Sequence, residues 1–292
     1  MEQGRIVKAI SGFFYVQSIS GIISCKGRGI LKKKEQIPLV GDQVLFTITD
    51  RAAMEGMLEE VLPRFNELIR PPAANVDQLL VVFSYTHPAP NYVLLDRILM
   101  MAESQHLPAL ICFNKVDLAE SGINRSLKAA YETMGYAVIE TSAKSGDGLS
   151  ALKQALRHRT TALAGTSGVG KSTLINSMFP HFSLETGRLS QKIQRGRHTT
   201  RHSELHQIDE TTWIMDTPGF STLSVDYLDE TEVRDCFRDF EALQTTCRFH
   251  SCLHLEEPGC SVKNAVKEGG IHPNRYQNYV TIIQEIRKNR RY

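Results

Sequence analysis

The chain has 292 residues, of which 41% are hydrophobic and 23% charged, and its 34 Lys and Arg nearly balance 32 Asp and Glu for a formal net charge of +2. That length and apolar content can bury one central core and carry small satellites. No apolar run is long enough to cross a membrane, no signal peptide opens the chain, and no internal repeat or low-complexity tract occurs. These features exclude membrane-spanning and repeat architectures and place the expected protein in the cytoplasm.

Residues 1–70 read as a small all-β domain. Short strand-like runs at 5–9, 13–17, 21–25, 43–49 and 57–61 are separated by Gly, Ser and Asp turns, the pattern of a small barrel. Lys26, Arg28 and Lys32-Lys33-Lys34 add positive charge, and Phe13, Phe14 and Tyr15 offer rings either for base stacking or for filling the barrel. Arg70-Pro71-Pro72-Ala73-Ala74 marks a linker to the next domain.

Two short signals follow, one of four residues and one of three, each at the end of an apolar strand. The run 109–113 ends in Asn114-Lys115-Val116-Asp117, and the run 136–140 is followed by Ser142-Ala143-Lys144. A carboxylate at Asp117 can accept from both the ring N–H and the exocyclic amine of guanine, donors that adenine lacks on that edge. The backbone N–H groups of Ser142, Ala143 and Lys144 suit the guanine carbonyl. A buried acceptor left empty by the wrong base can discriminate by about 10⁴ to 10⁵.

The strand 161–164 then runs into Gly165-Thr166-Ser167-Gly168-Val169-Gly170-Lys171-Ser172, and a helix leaves it through Thr173 to Met178. This is the strand, G-x-x-x-x-G-K-S loop and helix of a phosphate-binding motif. Its glycines let N–H groups close around phosphates, Lys171 reaches the terminal phosphates and the Ser172 hydroxyl reaches Mg²⁺. The segment 187–201 is polar, glycine-punctuated and without helix or strand periodicity. It carries His198, Thr199 and Thr200, either threonine able to meet Mg²⁺ with its hydroxyl, and it reads as a first switch. A further strand, 212–215, ends in Asp216-Thr217-Pro218-Gly219, where Asp216 can hold the metal directly or through water and Gly219 N–H can meet the γ-phosphate.

Past residue 222 the composition changes. Cys247, Cys252, His254 and Cys260 form C-x₄-C-x-H-x₅-C in a stretch too poor in aliphatic residues to build a core, the donor set of a tetrahedral Cys₃His zinc site. His250 is an alternative ligand, and a disulfide is the weaker reading in a chain with no secretory signal. The terminal helix 279–292 ends in Arg287-Lys288-Asn289-Arg290-Arg291. Cys112, inside an apolar strand, reads as a small core hydrophobe.

The order of these motifs is the unusual feature: the guanine-reading pair precedes the phosphate loop, whereas an ordinary GTP-binding domain has it after. In a doubly wound sheet the ligand-binding strand ends gather on one edge, so old termini can be joined and a new break opened without disturbing the site. The break falls after Asp216-Thr217-Pro218-Gly219, which hands the second switch directly to the C-terminal module.

The permuted order, the Gly196-Arg197-His198-Thr199-Thr200 segment and the Cys, Cys, His, Cys cluster together resemble the circularly permuted small-ribosomal-subunit biogenesis GTPases, over essentially the whole chain. The resemblance implies an OB-fold barrel at 1–70, a circularly permuted α/β P-loop GTPase domain at 71–222 and a mainly helical zinc-binding domain at 223–292. It also implies zinc on Cys247, Cys252, His254 and Cys260, and a late-stage small ribosomal subunit with its rRNA as partner. GTP/GDP, Mg²⁺ and Zn²⁺ are the expected cofactors. Neither DNA nor a membrane is expected as partner, and nothing calls for more than a monomer.

Charge distribution fits that expectation. Residues 1–70 carry ten basic and eight acidic groups, 185–205 five and two, and 247–292 eight and four, so the rest of the chain is net acidic. Basic charge thus lies on the appendages and the switch, suited to a phosphate backbone touched at several points. Phe220 stands where familiar small GTPases place a water-orienting Gln, so isolated turnover is expected to be slow. His198 is the candidate to orient water once a partner orders the switch, alongside a structural or RNA-contacting role for the same side chain. Gly168 stands where potassium-activated relatives use Asn, which argues against that route.

Overall fold

The computed structural model describes residues 1–27, 37–119, 123–180, 203–216 and 227–289. The chain forms two compact units, one of Met1–Leu79, Lys153–Leu163 and Phe179–Phe220, the other of Leu80–Leu152, Ala164–Met178 and Ser221–Tyr292.

In the first unit, β1 (Glu2–Ile10), β2 (Phe13–Ser18), β3 (Gly21–Gly27), β4 (Gln43–Asp50) and β5 (Glu55–Val61) close on themselves. The pairings run β1–β2, β2–β3, β3–β5, β5–β4 and β4–β1, which leaves no open edge in the ring. Alternation along the strands turns Ile6, Val16, Ile23, Val44, Phe46 and Leu58 inward, all fully buried. Of the three aromatics at 13–15, Phe13 is the exposed one, with the Lys26 ammonium 5.2 Å from its ring centroid.

The segment expected to be a plain linker is instead part of a hairpin. β6 (Glu67–Ile69) pairs with β7 (Pro72–Ala74), Leu68 opposite Ala73. Two apolar residues alternating with exposed neighbours suffice for such a short ribbon, and both Ala73 and Ala74 are buried. Composition alone, dominated by Pro71 and Pro72, hid the pairing.

The rest of this unit's sheet is β11 (Thr160–Ala164), β12 (Glu204–Gln207) and β13 (Trp213–Asp216). β11 runs parallel to β13, β13 antiparallel to β12, and β12 antiparallel to β1 of the barrel, where Lys8 faces Glu204. β12 is absent from the sequence reading because its four residues, Glu-Leu-His-Gln, carry one buried apolar side chain.

The second unit holds most of β8 (Gln78–Ser84), then α1 (Tyr92–Ser104), β9 (Ala109–Asn114), α2 (Ile123–Thr133), β10 (Ala137–Glu140) and the start of α3 (Leu149–Leu156). β8 is buried along its whole length, as expected of a central strand covered on both faces, and β10 lies parallel to β9. Asn91 caps α1 by accepting from Leu94 N at 3.0 Å.

The same unit contains α4 (Lys171–Met178) and the C-terminal helices α5 (Glu230–Asp235), α6 (Arg238–Gln244), α7 (Ser261–Glu268) and α8 (Pro273–Asn289). The terminal helix therefore begins six residues earlier than the sequence expectation, at a proline suited to the first helical turn. Phe237, Phe240, Tyr279, Ile282, Ile283 and Ile286 form the apolar centre of this module, with Met100 of α1 in the same cluster.

A buried polar network ties α8 to α1. Asp96 is fully buried and accepts from Arg275 Nη1, from Asn278 Nδ2 at 2.6 Å and from Tyr131 Oη at 2.9 Å. Arg275 also reaches Asp239 at 3.3 Å. Burial alone would lower the Arg275 guanidinium, but Asp96 and Asp239 outweigh it and hold the group charged.

Candidate nucleotide and metal sites

The phosphate-loop residues follow β11 as the motif requires. Gly165 has φ +129° and a Cβ there would lie 2.1 Å from Val82 O, while Gly170 has φ +98° and a Cβ would lie 2.5 Å from Asn114 Nδ2. Both positions therefore exclude any side chain. Thr166, Ser167 and Gly168 form the outer part of the loop, Val169 is buried beneath it, and Leu174 N bonds Gly170 O at 2.8 Å to open the helix carrying Ser172 and Thr173. Lys171 Nζ donates to Gly165 O at 2.7 Å and Thr166 O at 3.0 Å. The ammonium thus lies over the loop, at the place where terminal phosphates would compete for it.

The guanine-motif residues are gathered around this loop although they precede it by some fifty positions. Asn114 is buried, and its Nδ2 donates to Val169 O at 2.8 Å. Lys115 adopts the left-handed conformation with φ 63°, and its Nζ donates to Gly168 O at 2.7 Å and His87 O at 2.8 Å. Asp117 Oδ1 accepts from Ser142 Oγ at 2.7 Å, which joins the two motifs. Ser142 N bonds Asp147 O and Ser145 N bonds Ser142 Oγ, so the turn carrying Ala143 and the exposed Lys144 is fixed from both sides.

Two residues in this framework escaped the sequence reading. Thr141 Oγ1 donates to Asn114 Oδ1 at 3.2 Å and lies 3.2 Å from Cys112 Sγ, which sets the amide so that its N–H₂ meets the loop. Its position immediately before Ser142 at a strand end was the available signal. His87 contributes only a carbonyl, which no side-chain motif encodes. Cys112 is fully buried, and its thiol is pushed up to about 12 by burial, as suits a core hydrophobe.

Asp216 ends β13 in register with Leu163, two positions before Gly165. Its carboxylate is a hard oxygen donor of the kind Mg²⁺ takes. His198, Thr199, Thr200, Gly219 and Phe220 lie outside the described residues.

The Cys/His residues converge as the spacing implied. Donor atoms of Cys247, Cys252, His254 and Cys260 all lie within 4.8 Å of one another, and His250 is exposed and not among them. His254 Nδ1 is 3.7 Å from Cys247 Sγ and 3.4 Å from Cys260 Sγ, close to the edge lengths of a tetrahedron with metal bonds of about 2.0 to 2.3 Å. His254 Nε2 is buried with no hydrogen-bond partner. The donor set is compatible with Zn²⁺.

Local backbone supports the cluster. Ser261 N donates to Cys247 Sγ at 3.4 Å, and Cys260 caps α7 by accepting from Lys263 N at 3.5 Å. Burial raises the Cys247 thiol, yet the N–H groups of Ser261 and Val262 outweigh it and pull the group below the usual thiol range. Burial and the neighbouring Arg234 charge lower the His254 imidazole to about 4, which keeps it neutral, the form a metal requires. Tyr276 Oη and Tyr279 Oη donate to the carbonyls of His254 and Leu253 at 2.7 and 2.6 Å, so α8 holds the ligand loop.

No helix among the described residues is long and apolar enough to cross a membrane. Residues 61–226 match the RsgA GTPase family and residues 3–56 the RsgA N-terminal domain. The chain is 51% identical over 292 residues to the small ribosomal subunit biogenesis GTPase RsgA of Alkaliphilus metalliredigens, covering 100% of both chains. It is 44% identical to the protein of that name from Agathobacter rectalis, covering 99% of each. Among solved structures it is similar to YjeQ from Thermotoga maritima, with a TM-score of 0.82 at 34% identity and 98% coverage of both chains. It is similar also to YloQ, described as a circularly permuted GTPase, with a TM-score of 0.77 at 37% identity over 99% of this chain and 96% of that one. With an N-terminal five-strand barrel, guanine motifs gathered around a phosphate loop that follows them in sequence, and a C-terminal helical Cys/His module, the chain belongs to the RsgA GTPase family and is a GTP hydrolase.

Proposed function

We propose that this protein hydrolyses GTP as a late-stage maturation factor of the small ribosomal subunit, slowly by itself and faster when the subunit is bound. The observation that carries this reading is full-length similarity, at 51% identity, to a relative named for small-subunit biogenesis. In this reading, 1–70 meets rRNA, 71–222 binds and hydrolyses GTP, and 223–292 is a zinc-pinned docking module. The protein works as a cytoplasmic monomer, with no DNA or membrane partner.

Asn114, Lys115 and Asp117 read guanine together with Ser142, Ala143 and Lys144, and the loop 165–173 cradles the phosphates. Lys171 exchanges its loop carbonyls for the terminal phosphate oxygens, placing a fixed cation where charge develops during transfer. Bound Mg²⁺ would neutralise charge between the β- and γ-phosphates. Ser172 and Thr200 are the residues to hold it, with Thr199 as the alternative hydroxyl, and Asp216 supports it from the strand end. Gly219 offers its N–H to the γ-phosphate. His198 accepts the role that Phe220 cannot fill, orienting the attacking water once the subunit orders the switch. Cys247, Cys252, His254 and Cys260 bind Zn²⁺ with no open position for chemistry.

Co-sedimentation with purified small subunits tests the partner. Association should differ between GDP and a non-hydrolysable GTP analogue, and equal or absent association would reject it. For the switch, His198→Ala should remove subunit-stimulated turnover while leaving GTP affinity intact, an effect of about 10³ to 10⁵ where such a group is essential. Unchanged stimulated turnover removes His198 from the mechanism.

A further inference from the structure

The first residue of β12, Glu204, stands between two neighbours in the sheet, Asp216 of β13 on one side and Lys8 of β1 on the other. Directly opposed residues of antiparallel strands share a face, so the three side chains line up across β1, β12 and β13. Two are carboxylates, and like charges set opposite one another are destabilising. Lys8 offsets the pair, its Nζ donating to Glu204 Oε2 at 3.1 Å. His206, two positions along on the same face, registers all three. Burial pushes its imidazole below the ordinary value, Glu204 and Asp216 pull it back up, and Lys8 lowers it.

The sequence places this cluster tellingly. Glu204 follows the polar segment 187–201 by three positions, while Lys8 belongs to the barrel. We propose that Lys8 and Glu204 are positioning residues for the GTPase reaction, a charge counterweight to Asp216 that sets how tightly the nucleotide's Mg²⁺ is held. The inference rests on Asp216 being the metal-side carboxylate. Its physical basis is simple: a unit charge one or two strand spacings away, in a half-solvated setting, shifts cation binding several-fold at low salt. Lys8 and Glu204 together are neutral, so losing either leaves a net charge beside Asp216. Losing the lysine leaves a negative charge that favours Mg²⁺, and losing the glutamate leaves a positive one that opposes it.

The consequence is a barrel that influences the metal-side carboxylate through a surface ion pair. The Lys8 and Glu204 side chains are 34% and 42% exposed, so a polyanion meeting β1 could compete for the lysine.

The test uses full-length protein, measuring fluorescent GDP binding against MgCl₂ concentration at low ionic strength. Lys8→Met should lower the half-saturating Mg²⁺ about threefold to tenfold, and Glu204→Gln should raise it by a similar factor. The double variant should return to within about twofold of the parent, because the charges cancel. At high salt both shifts should collapse. Single variants that shift in the same direction, or a double variant in which the losses add, would overturn the proposal in favour of a docking role. Asp216→Asn separates the underlying assignment: it should raise the Mg²⁺ requirement, and an unchanged requirement would remove Asp216 from the metal, taking the inference with it.

Discussion

The guanine-motif framework and the Cys/His loop solve opposite problems. Around the phosphate loop, the guanine-motif side chains already have protein partners. Asn114 holds Val169 O, Lys115 holds Gly168 O and His87 O, and Asp117 holds Ser142. In the Cys/His loop, three thiols and an imidazole face one another, with weak sulfur hydrogen bonds as their partners. The difference teaches that the first framework is largely satisfied before its ligand arrives, whereas the second gathers four donors that a bound cation would satisfy.

The largest effect should therefore fall on the Cys/His loop. Cys252→Ser, or treatment with a strong chelator, should unfold the C-terminal module, since structural zinc binding is worth about 10 to 16 kcal/mol in small metal-folded peptides. Near-ultraviolet circular dichroism and zinc content measured together would check this. A module that stays folded without metal would erase the contrast between the two regions.

Next in size is Asp96→Ala. It removes the closer carboxylate partner of the buried Arg275 guanidinium and leaves only Asp239 at 3.3 Å, a loss of about 3 kcal/mol by urea unfolding. A change below about 1 kcal/mol would mean that the network between α1 and α8 is dispensable.

Within the guanine framework, Asn114→Ala removes the donor to Val169 O and leaves the loop less constrained. Nucleotide affinity should fall about tenfold to a hundredfold, equivalent to about 1.4 to 2.7 kcal/mol, with little change in melting temperature. If melting falls and affinity does not, Asn114 is structural and the framework is not preorganised for ligand.

Phe13→Ala should have the smallest effect on stability, about 0.5 kcal/mol or less, because the ring is already partly in water. It sharpens the comparison from the barrel side: weaker binding to small subunits at unchanged stability would identify an RNA-facing ring beside Lys26.

Much of this was legible in the sequence because the chemistry is local. The phosphate loop announces itself by its glycines, of which Gly165 and Gly170 have no room for a side chain, and the Cys/His cluster by four donors inside fourteen consecutive residues. The barrel strands followed from turn residues flanking alternating side chains. What stayed hidden was non-local. β12 carries no pattern of its own and exists because β1 and β13 lie on either side of it. The pairing of β6 with β7 was masked by prolines, and Thr141 matters only through a neighbour 27 residues away. Asp96 reads as an ordinary helix residue until Arg275, far along the chain, is seen to neutralise it.

The most direct test of the account is the rate of GTP turnover with and without purified small ribosomal subunits, on metal-replete and metal-stripped protein. Turnover should be slow alone, strongly stimulated by the subunit in the metal-replete form, and no longer stimulated when the metal is removed. Equal rates with and without subunits, or stimulation that survives loss of the metal, would contradict it.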